Sequence, residues 1–146
     1  MSYLITTGRY AGLIAKSNNR TMTVGGVAGV GPGIVNTQGP AATDMIHQIP
    51  VGRSFYVTKI MWYHVLGVNV TLVFGTLSNA AVPAMVQMFP TQLAINGIPG
   101  ELLEEELVGV EFMLNSQATP LGWDGSLYVT SSVAGVQITA EVAEKT

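Results

Sequence analysis

The chain has 146 residues, a formal net charge of −3 and no cysteine, so disulfides and thiolate metal sites are excluded. Charged residues make up only 10% of the chain and the mean hydropathy is +0.40, which leaves little polar surface to coat an isolated monomer. No apolar run reaches the about 18 residues of a membrane span, and the six Lys and Arg residues are scattered, so we expect neither a membrane nor nucleic acid as a partner.

Residues 1–46 contain short apolar pieces that are separated by glycine and proline, as in Gly31-Pro32-Gly33. These residue types prevent a regular helix and permit only short extended segments. We therefore predict an extended N-terminal arm, or a set of short edge strands, over residues 1–46. A flexible leader that becomes ordered only locally is the alternative.

Residues 49–75 are the segment around which we expect the second region, a β-sandwich domain over residues 47–146, to be organised. Residues 54–66 are rich in aromatic and β-branched side chains, and residues 68–74 show period-2 alternation. These patterns indicate two consecutive strands with a tight turn at Gly67.

The first of these two strands is apolar on both faces. Strict alternation places Phe55 and Val57 on one face, and Ile60 and Trp62 on the other. Such a strand needs cover on two sides, so we expect a central sandwich strand whose outer face meets another subunit.

Three prolines follow at Pro83, Pro90 and Pro99, and no helix of ordinary length fits between them. We predict extended pieces near residues 84–89 and 93–95 instead. The only helix-compatible stretch comes next, at residues 101–107, and it is short enough to be a single turn.

Acidic residues are concentrated in and just after this stretch. We expect them to form an exposed, charged loop. The alternative is that two of them lie in a cleft, where they would bind a cation or act as an acid and a base. The residues are Glu101, Glu104, Glu105, Glu106 and Glu111.

Alternation returns over residues 127–132 and 136–143, which predicts a final hairpin with one buried and one polar face. With the other segments this makes about eight short strands separated by turns. The predicted fold is all-β, an antiparallel β-sandwich of jelly-roll type that carries a Gly/Pro-rich N-terminal arm.

No motif points to an enzyme. His47 and His64 could approach each other, because His47 just precedes the strand that carries His64, but no metal-ligand spacing such as HxH or HExxH is present. The glycine-rich residues 25–33 lack the Lys-Ser/Thr of a phosphate loop. We therefore expect no catalytic residues, no metal and no cofactor.

Aromatic residues allow a competing interpretation. Side chains such as Trp123 and Tyr128 are usually core or interface anchors. On an exposed loop they would instead form a stacking platform for sugar rings, so a carbohydrate- or receptor-binding β-sandwich module is the alternative function.

Two phrases of the sequence carry a family resemblance, namely IPVGRSFYVTKI and WDGSLYVTSSVAGVQITAEVAE. They resemble the small jelly-roll structural proteins of tailed bacteriophages, which include capsid decoration or cement proteins and related head or tail accessory proteins. The resemblance covers residues 47–146. It implies a non-enzymatic virion protein, favoured as a homotrimer, that binds the major capsid protein or another virion protein and stabilises the head lattice.

Localisation follows from the same interpretation. The basic residues Arg9 and Lys16 come after the first apolar piece, which is not the order of a secretory signal. We expect a chain made in the host cytoplasm and placed on the capsid surface. If the N-terminal region is an arm, removal of residues 1–40 should leave a folded sandwich that no longer assembles.

Subunit or capsid contacts are expected from apolar residues of the first region and of the first long strand. They are Tyr3, Leu4, Ile5, Leu13, Ile14, Ile34, Val35, Phe55, Ile60 and Trp62.

Overall fold

The computed structural model describes residues 2–21, 35–36, 42–79, 84–115 and 122–146. In these ranges the regular secondary structure consists of β-strands and one helical turn. Two antiparallel sheets share one hydrophobic core, so the molecule is a β-sandwich. The prediction of an all-β antiparallel sandwich is therefore confirmed.

The elements follow one another closely along the described ranges. In chain order they are β1 (Ser2–Leu4), β2 (Ile14–Thr21), β3 (Val35–Asn36), β4 (Ala42–His47), β5 (Phe55–Tyr63), β6 (Val70–Leu77), β7 (Met85–Gln87), β8 (Gln92–Ala94), β9 (Gly100–Glu101), α1 (Glu104–Leu107), β10 (Glu111–Phe112), β11 (Leu127–Ser131) and β12 (Gln137–Glu144). The one-turn helix, the strands β7 and β8 and the long strands β5, β6, β11 and β12 lie where the sequence predicts them.

The strands divide between two sheets. Sheet A has the order β1-β2-β12-β5-β10, and β9 also pairs with β5. Sheet B has the order β3-β4-β11-β6-β7, and β8 also pairs with β6. The last strand, β12, is thus an inner strand of sheet A.

A β-bulge interrupts the central strand β5. Glu141 of β12 lies opposite Lys59, but the next residue, Val142, lies opposite Val57, so Thr58 is an extra residue on β5. An extra residue reverses the side-chain alternation beyond it. Odd-numbered residues of β5 therefore face the core before the bulge, and even-numbered residues face the core after it.

Because of the bulge, all the large core residues of β5 share one face. Phe55, Val57, Ile60 and Trp62 are each at most 6% exposed and belong to the core cluster between the sheets. The predicted division of these four residues between the two faces is wrong. The outer face of β5 carries half-buried or exposed side chains, namely Tyr56, Thr58, Lys59, Met61 and Tyr63.

Aromatic rings fill the middle of the core. Trp62 stacks on Phe74 of the opposite sheet with ring centroids 5.9 Å apart. Phe112 lies between Phe55 at 5.1 Å and Phe89 at 5.8 Å. Offset contacts of this kind stabilise a core beyond simple area burial.

Consecutive long strands lie in different sheets. β11 belongs to sheet B and β12 to sheet A, so the predicted final hairpin is wrong. Each of these strands has one apolar face, and in a sandwich that face is buried against the opposite sheet. When the chain crosses from one sheet to the other, both strands bury their apolar faces in the same core. A period-2 pattern alone does not reveal which strands pair.

Residues 2–21 are part of the sandwich. β2 pairs with β12 over eight consecutive positions, from Thr21 opposite Gln137 to Ile14 opposite Glu144. The predicted boundary between residues 46 and 47 falls inside β4. Of the predicted arm, residues 22–34 and 37–41 lie outside the described residues.

Candidate functional site

One end of the sandwich exposes an uncharged, apolar surface, which we call the apolar end. It consists of residues 64–69, 93–99 and 132–136, and none of these segments contains Asp, Glu, Lys or Arg. Val136 is buried in the core, but the other seven large apolar side chains are each at least 39% exposed, and Val65 reaches 71%. They are Val65, Leu66, Val68, Leu93, Ile95, Ile98 and Val133.

His64 holds two of these segments together. Its Nε2 donates a buried hydrogen bond to the Ala94 carbonyl at 2.9 Å, and its Nδ1 accepts one from the Leu66 amide at 3.3 Å. The Gly97 amide donates to the His64 carbonyl at 2.8 Å. His64 is therefore an internal anchor of the apolar end and not a free ligand.

The third segment is tied to the same end. The Thr71 amide donates to Ser132 Oγ at 3.0 Å, and the Ser132 amide donates to the Thr71 carbonyl at 3.1 Å. Gly135 approaches Leu66 so closely that an added Cβ would lie 2.7 Å from Leu66 Cδ2. The three segments thus form one continuous surface, and a surface of this composition is typical of a protein contact.

Several residues predicted to contact a partner are placed differently by the fold. Phe55, Ile60 and Trp62 lie inside the monomer core, so they bury area inside the subunit. Tyr3 and Leu4 are exposed on the edge strand β1, at 61% and 57%. Three other members of the predicted set are half-buried, namely Ile5, Leu13 and Ile14. Val35 is in β3, and Ile34 is outside the described residues.

The predicted sugar platform of Trp123 and Tyr128 is not exposed. Tyr128 is only 5% exposed, and its hydroxyl donates to the Asp124 carboxylate. Burial and this carboxylate raise the pKa of Tyr128 above its ordinary value. Trp123 is half-buried, and its indole N–H donates to the Met113 carbonyl at 2.8 Å. The buried Tyr128 ring cannot stack on a sugar, so the two rings do not form an exposed platform.

Glu111 differs from the exposed glutamates among which the sequence places it. It accepts hydrogen bonds from Ser54 Oγ and, at 3.0 Å, from Tyr56 OH. Lys145 Nζ lies 2.9 Å from its Oε2. The bond from Ser54, with the contacts of Lys145 and Tyr56, holds the pKa of Glu111 below its usual value, so it is an ionised structural acceptor.

A polar cluster around His47 connects the two sheets. Nε2 of His47 donates to Glu144 Oε2 at 2.7 Å, and Nδ1 accepts from Asn18 Nδ2 at 2.7 Å, since an amide nitrogen has only protons to offer. Lys16 Nζ lies 2.8 Å from the other Glu144 oxygen. Sequence reasoning missed this cluster, because its members are far apart along the chain: His47 and Glu144 alone are separated by 97 positions.

Burial sets the charge state of this cluster. Desolvation lowers the pKa of His47 despite the neighbouring carboxylate, so the ring is neutral at pH 7. Burial raises the pKa of Glu144, but hydrogen bonds from Lys16 and His47 outweigh it and hold that pKa below its usual value. The cluster is an ionised Lys16–Glu144 pair with a neutral imidazole beside it.

The two histidines lie far apart. The His47 ring contacts Phe55, at the beginning of β5, whereas His64 follows the end of that strand. A strand of nine residues separates them by about 25 Å or more. The possible approach of His47 to His64 is therefore wrong. Within the described ranges no three His, Asp or Glu side chains are grouped to hold a metal ion.

No family model matches the sequence, and no curated protein is significantly similar to it. In the part of the chain that the structure describes, no helix has the length and apolar character needed to cross a bilayer.

Proposed function

We propose that this chain is a non-enzymatic structural protein that associates with copies of itself through the apolar end. The observation that carries the proposal is the continuous surface formed by residues 64–69, 93–99 and 132–136, which has no charge and seven exposed large apolar side chains. Exposed surfaces of this kind mark association sites in soluble proteins. Low overall charge supports the same function, because association covers surface that a monomer would have to solvate.

Energies favour a second copy of the same surface as the partner. Full burial of a Val, Leu or Ile side chain stabilises by about 1.5–3 kcal/mol, so seven half-exposed side chains contribute about 5–10 kcal/mol per copy. Association costs about 4–15 kcal/mol in lost freedom of motion. One apolar end against a polar surface falls within the range of this cost, whereas two apolar ends buried against each other contribute about 10–20 kcal/mol for one association event, and each further copy adds one end and one such cost.

We further propose that the sandwich is a jelly roll. Four strand pairs are nested in sequence: β2 with β12, β4 with β11, β5 with β10, and β6 with β7. A chain folded back on itself in this way and then rolled into two sheets has the jelly-roll arrangement. This nesting supports the resemblance to phage structural proteins that the sequence suggests.

On that resemblance we propose a capsid decoration or cement protein, a homotrimer on the surface of a phage head. The proposal places the apolar ends together around the trimer axis and leaves other surfaces for the major capsid protein. Polar clusters that an enzyme would use are occupied in structural contacts, as His47 is by Asn18 and Glu144. This occupation supports a role without catalysis.

Native mass spectrometry of the full chain tests the association. We expect a closed trimer at all concentrations, and a monomer for Val65→Asp, which places a charge in the apolar end. Val51→Asp is the matched control, because Val51 is 99% exposed in the turn at the other end of the sandwich. A monomeric wild type, or a trimeric Val65→Asp variant, contradicts the proposal.

Co-sedimentation with phage head shells tests the decoration role. Pelleting of the oligomer with the shells supports it. An oligomer that stays in the supernatant at saturating shell concentration contradicts the decoration role, while the self-association remains established by mass spectrometry.

A further inference from the structure

A concave surface lies on the outer face of sheet A, away from the loops of the apolar end. It is a groove of about 430 Å³ between the sheet and the β1–β2 loop, residues 5–13. Volumes of this order accept small ligands. The side chains on which the argument depends are Tyr3, Arg9, Tyr10, Ser17, Thr58 and Glu141.

The strand register explains why a groove forms there. Across sheet A, Tyr3 lies opposite Ala15, Ala15 opposite Ala143, and Ala143 opposite Tyr56. Two large residues thus flank two small ones over three strand spacings, about 14 Å. Tyr10 from the loop packs on Tyr56 with ring centroids 5.2 Å apart, which thickens that wall. The result is a shallow floor between two tyrosine walls.

A polar row runs beside this floor. Ser17 lies opposite Glu141, and Thr58 Oγ1 donates to the Glu141 carbonyl at 3.1 Å. Among the described residues, the Arg9 guanidinium and the Glu141 carboxylate have no hydrogen-bonding or salt-bridge partner. The groove therefore offers a free donor, a free acceptor and hydroxyls, together with the Tyr3 ring, which is 61% exposed.

We infer that this groove binds a sugar ring of a glycan. A sugar presents apolar C–H faces that pack on aromatic rings, and hydroxyls that both donate and accept hydrogen bonds. The Glu141 carboxylate would repel an anionic ligand, the Arg9 guanidinium would repel a cationic ligand, and the polar row disfavours a purely apolar ligand. The groove does not overlap the apolar end, so the inference does not depend on the proposed association.

Chemical-shift mapping by NMR tests the inference, with the methyl glycosides of glucose, galactose, mannose and N-acetylglucosamine as probes. We expect at least one of them to shift the amide signals of Tyr3, Ser17, Thr58 and Glu141 in a saturable manner. Absence of saturable shifts with all four glycosides, or shifts confined to other parts of the chain, overturns it.

Substitutions at Tyr3 separate a sugar site from unspecific binding. Tyr3→Ala should weaken the affinity at least tenfold, and Tyr3→Phe should retain it, because the ring provides the contact. Tyr63→Ala is the matched control, since Tyr63 is an exposed tyrosine on the outer face of the same sheet and lies outside the groove. Tyr3→Ala at unchanged affinity, or equal losses in Tyr3→Ala and Tyr63→Ala, overturns the inference.

Discussion

His47 donates a hydrogen bond of 2.7 Å to the buried carboxylate of Glu144, and this bond joins sheet B to sheet A. Glu144 is 2% exposed and also pairs with Lys16 of β2. Three strands, β2, β4 and β12, therefore meet at one polar point inside an otherwise apolar sandwich. The stability of the fold should depend on the charge state of this point.

Acidification should destabilise the protein through His47. The pKa of His47 is lowered in the folded protein, so the unfolded chain binds the proton more tightly. The contribution of neutral His47 to the free energy of unfolding is therefore complete above about pH 6.5, the ordinary pKa of histidine. It is lost as the pH falls through the pKa of the folded state. The uptake of one proton changes the free energy of unfolding by at most about 1.4 kcal/mol per pH unit. Urea unfolding at pH 8 to 5 measures the slope, and His47→Gln should flatten it. An unchanged slope in His47→Gln would assign the effect to other groups.

Removal of the Glu144 charge should cost more than removal of a similar charge on the surface. Glu144→Gln leaves Lys16 without its partner and changes the acceptor of His47, so we expect a loss of about 1–3 kcal/mol in the free energy of unfolding. Glu141→Gln, three residues earlier on the same strand and on its outer face, should change stability by less than about 0.5 kcal/mol. Equal effects of the two substitutions would show that the buried cluster contributes nothing specific.

Gly125 should tolerate alanine far less well than Gly67. Both have a positive φ, +88° and +84°, so both substitutions carry a backbone cost of about 1–2 kcal/mol. An added Cβ at Gly125 would lie 2.6 Å from the Met113 carbonyl carbon, whereas at Gly67 it meets nothing within 4 Å. We expect Gly125→Ala to lower the melting temperature well beyond Gly67→Ala. Similar melting temperatures would mean that the backbone near Met113 moves freely.

Removal of residues 1–40 should abolish cooperative unfolding, which is the opposite of what the sequence alone led us to expect. The truncation deletes β2, which pairs with β12 over eight positions, and it leaves Glu144 without Lys16. Near-UV circular dichroism and thermal unfolding measure the result. Removal of residues 2–4 alone is the control, because β1 is an exposed edge strand. A cooperative melt of the longer truncation would restore the arm interpretation.

Period-2 alternation predicts strands well here, because β6 and β12 each turn one face to the core. Alternation fails at β5, where the extra residue Thr58 shifts the pattern and brings Ile60 onto the same face as Phe55. No local signal marks a bulge, since it arises from pairing with a distant strand. The same limit applies to sheet assignment, and it led to the wrong final hairpin.

The side-chain clusters could not be predicted from the sequence for a related reason. Glu144 looks like a polar residue at a chain end, and only the pairing of β12 with β2 brings it beside Lys16. Glu111 looks like one of five similar glutamates until Ser54 and Tyr56 are placed next to it. The apolar end joins three segments that are separated by 23 and 32 residues along the chain, so hydropathy along the sequence could not reveal it.

The inner position of β12 has a consequence for the newly made chain. β2 and β5 do not pair with each other, and each is joined through β12, whose last residue is Glu144. At ~5–20 residues per second on the ribosome, β2 waits on the order of ten seconds for its neighbour. β1 can pair with one edge of β2 at once, but the other edge stays free, and a free strand edge is prone to aggregate during such a delay. The residues of β2, IAKSNNRT, are mostly polar, and we expect this composition to keep the waiting strand soluble until synthesis reaches β12.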